Sequence, residues 1–110
     1  MRLEIRSKEL MLTEAIDAYV SRRMRLALGR FGPRLGRIMV RVGDENGPRG
    51  GVDKCCRVVA QTSTGTVVVE ELDRDLYVAI DRASERVARA VGRAVLRSRE
   101  MSAAWKEEQR

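Results

Sequence analysis

Residues 37–42 read Arg-Ile-Met-Val-Arg-Val, and here the hydrophobic period of the sequence changes from that of a helix to that of a strand. Every second position from Ile38 to Val42 is aliphatic, which predicts a strand with one buried face. The preceding stretch from Thr13 to Arg30 instead has apolar residues at intervals of three and four, which predicts an amphipathic helix. The change of period therefore indicates that helix and strand pack together in one α+β unit.

The rest of the chain follows the same logic. Short strands are predicted at Leu3–Ile5, Cys56–Ala60 and Thr66–Glu71, and the glycine-rich stretch Gly43–Gly51 is predicted to be a hairpin loop. A long second helix follows the last strand, with Asp73 as its expected N-cap. The apolar stripe of helix 1 comprises Ile16, Val20, Met24, Ala27, Leu28 and Phe31, and that of helix 2 comprises Leu76, Ile80, Ala83, Val87, Val91 and Ala94.

The predicted order of elements is β-α-β-β-β-α. Each helix has a single apolar stripe to bury, so both helices are expected on the same face of a four-stranded sheet. The fold class is therefore predicted to be an α+β two-layer sandwich, similar in layout to double-stranded RNA-binding modules.

Composition restricts the function. The chain has 110 residues, enough for one domain, and contains no histidine, which excludes catalysis by imidazole and zinc sites that use histidine. We expect no enzymatic activity, cofactor, metal or small-molecule substrate. The charged and aliphatic residues alternate at the N-terminus and no apolar run could span a membrane, so we expect a cytoplasmic protein without a signal peptide.

The net charge of +6 favours a polyanionic partner, and the arginines are concentrated in two sets. No acid occurs between Asp17 and Asp44, whereas this stretch contains seven arginines. A second set, the arginine ridge, lies within a sector of about 80° on helix 2 and is expected to line the groove between the helices or its rim. The first set comprises Arg22, Arg23, Arg25, Arg30, Arg34, Arg37 and Arg41, and the ridge comprises Arg82, Arg86, Arg89, Arg93 and Arg97.

Two further groups of residues have structural interpretations. Cys55 and Cys56 are adjacent in a predicted strand, so their side chains point in opposite directions and we expect two reduced thiols rather than a metal site. The acids between Glu70 and Asp75 resemble a magnesium cluster, but they straddle the end of a strand and the start of a helix. Capping and the helix dipole account for acids at that position.

Residues 73–81 read Asp-Arg-Asp-Leu-Tyr-Val-Ala-Ile-Asp and resemble the D-x-Y-x-A-I-D signature of the ribosome hibernation-promoting factor family. Its members are also called ribosome-associated inhibitors or sigma-54 modulation proteins. Met11–Ala15 is similar to the start of helix 1 in that family. The resemblance covers residues 1–99 and implies a ribosome-binding α+β domain, followed by a C-terminal tail at residues 100–110 that contains Trp105.

The resemblance implies ribosome hibernation. The protein would occupy the decoding and transfer-RNA region of the small ribosomal subunit in starved or stationary cells and exclude messenger and transfer RNA. The residues expected to contact ribosomal RNA are Arg22, Arg23, Arg25, Arg30, Arg82, Arg86, Arg89, Arg93, Arg97 and Arg99.

Two other features of the family bear on partners. Long members append a dimerising domain, for which the residues after Arg99 leave no room, so the sequence is identified with the short form and is expected to be a monomer off the ribosome. The family's older name supplies an alternative function, which is regulation of a transcription factor of the sigma class. That function would use the open sheet face or the tail and would not require the arginines.

Overall fold

The computed structural model describes the backbone of residues 1–45 and 51–108 and the side chains of residues 1–45 and 51–97. The order of its elements is the predicted β-α-β-β-β-α, with a short 3₁₀ helix added after the first α-helix. The elements are β1 (Arg2–Lys8), α1 (Glu14–Leu28), the 3₁₀ helix (Gly29–Arg34), β2 (Leu35–Asp44), β3 (Lys54–Thr62), β4 (Gly65–Asp73) and α2 (Leu76–Glu108).

The four strands form one mixed sheet in the order β1-β2-β3-β4. β1 runs parallel to β2 because α1 carries the chain back across the sheet between them, whereas β2, β3 and β4 are joined in antiparallel order. Ile38 lies opposite Leu3 on one side and Ala60 on the other. This register places the aliphatic positions of neighbouring strands on the same face.

Both helices cover that face and share a single core with it. Val20, Met24 and Leu28 of α1 are completely buried, as are Ile80 and Val87 of α2. The predicted stripes are confirmed, since every other member is buried or packs at the edge of the core. Neither α1 nor α2 packs on the opposite face of the sheet, so among the described residues the two faces of the domain present different chemistry.

Helix α1 begins after its predicted N-cap, Thr13, and ends at Leu28, two residues before the predicted end at Arg30. The Ile16 N–H donates a hydrogen bond to the Thr13 hydroxyl at 3.2 Å, as expected of an N-cap. The α-helix ends at Leu28, where the Gly29 N–H donates to the Arg25 carbonyl, and Arg30 lies in the 3₁₀ helix that follows. Gly32 has a φ of 42° there, a conformation that favours glycine, and Pro33 prevents the helix from continuing.

The predicted cap of helix 2 was wrong by two residues. The Tyr77 N–H donates to the Asp75 carboxylate at 2.9 Å, so Asp75 is the capping residue of α2. Asp73 instead accepts a hydrogen bond from the Asp75 N–H, which forms a turn that brings the chain out of β4. Asp73 and Asp75 are two residues apart, and either could cap a helix or accept a hydrogen bond in a turn. Only the geometry of the turn shows which residue has which role.

The strands extend beyond the predicted limits, because polar residues at their ends still pair in the ladder. β2 continues through Gly43 and Asp44, which pair with Cys55 and Lys54. The predicted loop is correspondingly shorter, and its residues 46–50 lie outside the described residues. The side chains of the predicted tail, including Trp105, also lie outside them, and the division at residue 99 stays a prediction.

Cys55 and Cys56 are free thiols on opposite sides of β3, as predicted. Cys56 is completely buried in the core and Cys55 is 5% exposed. Burial raises the pKa of Cys55 to about 11 and that of Cys56 to about 12. Neither thiol therefore carries appreciable thiolate near neutral pH.

We expect the native protein to react slowly with a thiol-alkylating reagent at about pH 8, because the thiolate is the reactive form and burial disfavours it. In urea, two thiols per chain should react rapidly. Mass spectrometry of quenched samples measures both rates, and the Cys55→Ser variant isolates the slower Cys56. Rapid alkylation of both cysteines in the folded protein would contradict the buried arrangement.

Candidate nucleic-acid interface

Three of the predicted arginines on the α1 side point into solvent. Arg22 and Arg25 lie on the exposed side of α1, and Arg30 follows in the 3₁₀ helix. The Arg30 guanidinium lies 4.8 Å from the centroid of the Phe31 ring, which holds it by a cation–π contact. Within the described part of the chain, none of the three forms an ion pair, so their charge is available to an external anion.

Arg23 has a different environment. Its Nε lies 2.9 Å from the Asp81 carboxylate in an ion pair whose N–H is not aimed at the oxygen. Its Nη2 donates to the Ser84 hydroxyl at 3.3 Å, and that hydroxyl donates in turn to the Asp81 carbonyl. Arg23 therefore links α1 to α2, and its charge is balanced within the protein.

Tyr19 completes this link between the helices. Its hydroxyl donates to the Asp81 carboxylate at 2.5 Å, and its ring meets that of Tyr77 edge to face with 4.7 Å between centroids. The hydrogen bond to Asp81, with burial as a lesser cause, raises the pKa of the Tyr19 hydroxyl. The last aspartate of the 73–81 stretch is thus the anchor to which two side chains of α1 bind.

The arginine ridge of α2 does not form one uniform surface. Arg82 lies 3.1 Å from the Asp73 carboxylate, and Arg86 lies 3.2 Å from that of Glu71. Arg86 also donates to the Glu70 carbonyl at 2.9 Å. The prediction that the ridge lines the groove between the helices was wrong for these two, because β4 supplies acids on the other side of α2.

The later part of the ridge is unpaired. Arg89, Arg93 and Arg97 are exposed, and none forms an ion pair with any residue whose side chain is described. Their spacing places them on one side of α2. The side chain of Arg99 lies outside the described residues, so its predicted contact stays a prediction.

A groove between the helices contains Arg30 from the α1 side and Arg89 from the ridge, whereas Arg22, Arg25, Arg93 and Arg97 lie outside its lining. One depression of about 370 Å³ is lined by Arg23, Arg30 and Arg89, with Leu26 on its wall. A second, of about 540 Å³, lies between the 3₁₀ helix and α2 and is lined by Arg30 and Arg34. Arg30 belongs to both depressions. Arginines and apolar residues therefore line both depressions, and Glu85 is also part of the first.

The apolar residues of this surface were not predicted from the sequence. Leu26 is 69% exposed and Leu96 is 55% exposed, although both are large aliphatic side chains. A signal was available, since both lie outside the apolar stripes of their helices. The seven-arginine set was also too broad, because Arg37 and Arg41 belong to β2 and point to the opposite face of the sheet.

The acids between Glu70 and Asp75 balance arginines or cap the helix. Glu70 pairs with Arg57 and Glu71 with Arg86. Asp73 pairs with Arg82, and Asp75 caps α2. No cluster of potential metal ligands occurs within the described ranges 1–45 and 51–97. Nor does any helix of that part of the chain combine the length and hydropathy needed to cross a membrane.

Comparison with known proteins agrees with the geometry. Residues 3–99 match the sequence family described as Sigma 54 modulation protein / S30EA ribosomal protein. The chain belongs to this family. The match includes α1 and β2–β4 in full, nearly all of β1, and α2 as far as residue 99, and it confirms the resemblance seen in residues 73–81. None of the curated proteins searched matches the chain significantly.

Solved structures have the same fold. The crystal structure of the Thermus thermophilus Protein Y N-terminal domain is 28% identical, covers 84% of this chain and 98% of its own, and superposes with a TM-score of 0.70. A ribosomal subunit interface protein from Coxiella burnetii is 11% identical, covers 87% of this chain and 99% of its own, and has a TM-score of 0.71. The two-layer α+β fold is confirmed.

The different environments of adjacent arginines lead to a stability prediction. Arg23→Gln should lower the free energy of unfolding by about 1 kcal/mol, because it leaves Asp81 without its charged partner at a half-exposed site. Arg22→Gln should leave the stability within about 0.5 kcal/mol of the wild type, since Arg22 is exposed and unpaired. Urea denaturation measures both, and equal effects would contradict the interhelical role of Arg23.

Proposed function

We propose that the chain binds ribosomal RNA of the small ribosomal subunit through the groove between α1 and α2. The observation that carries the proposal is a set of exposed arginines on both helices without acidic partners among the described residues. The set, called the free arginines below, comprises Arg22, Arg25, Arg30, Arg89, Arg93 and Arg97.

The choice of RNA follows from the chemistry of these side chains. A guanidinium offers a planar fork of donors that matches a phosphate, and it also stacks on the faces of bases. Leu26 and Leu96 lie exposed between the arginines and suit contact with ribose or base edges. Proteins that bind double-stranded RNA recognise its shape mainly through phosphate and 2′-hydroxyl contacts. The groove and its free arginines support this mode.

The ten predicted contact residues then divide by role. The free arginines would supply the main phosphate contacts. Arg82 and Arg86 are tethered to β4 and would contribute less, because an RNA phosphate must compete with Asp73 and Glu71 for them. Arg23 would act by fixing the angle between the helices rather than by contacting RNA.

Family membership supports the choice of the ribosome as the source of that RNA. By the same resemblance, the bound site is the decoding and transfer-RNA region, and occupancy there excludes messenger and transfer RNA. The protein would therefore act in the cytoplasm as a hibernation factor that silences ribosomes and performs no chemistry. The inhibition would be steric, so its strength would follow the fraction of ribosomes that the protein occupies.

We expect Arg89→Glu combined with Arg93→Glu to abolish sedimentation of the chain with small ribosomal subunits in a density gradient. The wild type should lose binding steeply with salt, with a decline in log affinity of about 0.7 to 0.9 per phosphate contact for each decade of salt. The variant should also fail to inhibit cell-free translation. Neither residue contributes to the core, so folding should persist.

Arg6→Glu combined with Arg41→Glu is the matched control, because it changes the net charge equally on the opposite face of the sheet. This control should still bind small subunits. If both double variants lose binding alike, net charge rather than the groove determines affinity, and the proposed interface is wrong. Binding that ignores both salt and the Arg89/Arg93 substitutions would favour regulation of a sigma factor instead.

A further inference from the structure

The open face of the sheet carries its own pattern of charge, separate from the helical surface. Across the strands, Arg6 lies opposite Arg41, and Arg41 lies opposite Arg57. We call these three residues the arginine row. Neighbouring strands lie about 4.7 to 4.9 Å apart in a sheet, so three positive charges stand side by side.

This row is only partly neutralised. Arg57 lies 3.2 Å from Glu70, the next residue across in β4. Glu4 is adjacent on β1, but it is held by Arg37 at 2.6 Å, and that hydrogen bond lowers its pKa. Arg6 and Arg41 form no ion pair with any described residue. Like charges opposed across strands destabilise a sheet, so an anion bound at the arginine row would reduce the repulsion between its guanidinium groups.

An apolar row runs beside the charged one. Met39 lies opposite Val59, and Val59 lies opposite Val68, which is 47% exposed. The arginine row, Met39 and Val59 line a shallow depression of about 240 Å³, together with Val40 and with Glu4, whose carboxylate is held by Arg37. A ligand seated there would meet guanidinium groups along one edge and aliphatic carbon along the other.

This combination selects the chemistry of the partner. An inorganic phosphate would bind the arginine row but make no contact with the apolar row. Sheet faces that bind single-stranded RNA stack the bases on aromatic side chains, and the described residues of this face include none. A protein segment in which carboxylates lie next to aliphatic side chains matches both rows.

We propose that the open sheet face is a docking site for an acidic protein segment, whose Asp or Glu side chains bind the arginine row and whose aliphatic side chains cover Met39, Val59 and Val68. The site lies opposite the groove between the helices, so it does not depend on RNA binding there. A chain with both surfaces could hold RNA on one face and a protein on the other.

The test is a titration of ¹⁵N-labelled full-length protein followed by amide chemical shifts. The probe is a short synthetic peptide rich in Glu and Leu, compared with a polyglutamate peptide and with oligouridylate RNA. We expect the Glu/Leu peptide to shift the amides of Arg41, Val59 and Val68 saturably and to bind about tenfold more tightly than polyglutamate. The RNA should shift residues of α1 and α2 instead.

Variants assign the binding to the two rows. Arg6→Gln with Arg41→Gln should weaken the peptide about tenfold, whereas Arg22→Gln with Arg25→Gln removes the same charge from α1 and should leave peptide binding unchanged. Val68→Ser should weaken the Glu/Leu peptide but not polyglutamate, and it provides a second test should the double variant fail to fold.

Three results would overturn the proposal. The first is a peptide that shifts only helical residues, which would mean attraction to the free arginines. The second is RNA that saturably shifts the sheet face, which would make that face a second RNA site. The third is the absence of saturable shifts with any probe. Each result is independent of whether the groove binds small ribosomal subunits.

Discussion

The burial of two helical stripes on one face of a four-stranded sheet is the constraint on which the rest of the structure depends. Each stripe is apolar over a narrow sector, and the sheet offers a single continuous aliphatic face to receive both. This burial fixes the rotation of α1 and α2 about their axes. It therefore decides which arginines reach solvent, since each lies at a fixed angle from the stripe of its helix.

In this basic protein, several acidic side chains form ion pairs and hydrogen bonds that connect one element of the fold to another. Asp81 binds Arg23 and Tyr19 and so connects the helices, whereas Asp73 and Glu71 attach the start of α2 to the last strand. The acids thus balance the arginines near the helix start and the sheet. Much of the positive charge that remains unpaired among the described residues lies on the outer parts of α1 and α2 and on the open sheet face.

The two sides of the domain differ in shape as well as in charge. The helical side has a groove with arginines on both walls and exposed leucines between them. A surface of this shape suits contact with a folded nucleic acid. The open sheet side is shallow, and its charged and apolar residues lie in parallel rows. The proposed binding of ribosomal RNA would use the first surface alone, which would leave the second available for a separate partner.

The sequence by itself determined the order of elements, the two apolar stripes and the concentration of arginine on the helices. These properties are local, because the 3.6-residue and two-residue periods fix which side chains share a face. It also determined the family, through residues 73–81.

Only the tertiary structure decided which arginines are free. Asp81 is 58 residues from Arg23 in the chain and Glu71 is 15 residues from Arg86, so no local pattern could reveal either pair. Charge counted along the sequence assigned Arg22 and Arg23 the same role, although one faces solvent and the other binds the neighbouring helix. The difference arises because ion pairs form through space, and the packing of α2 between α1 and β4 brings acids within reach of some arginines and not of others.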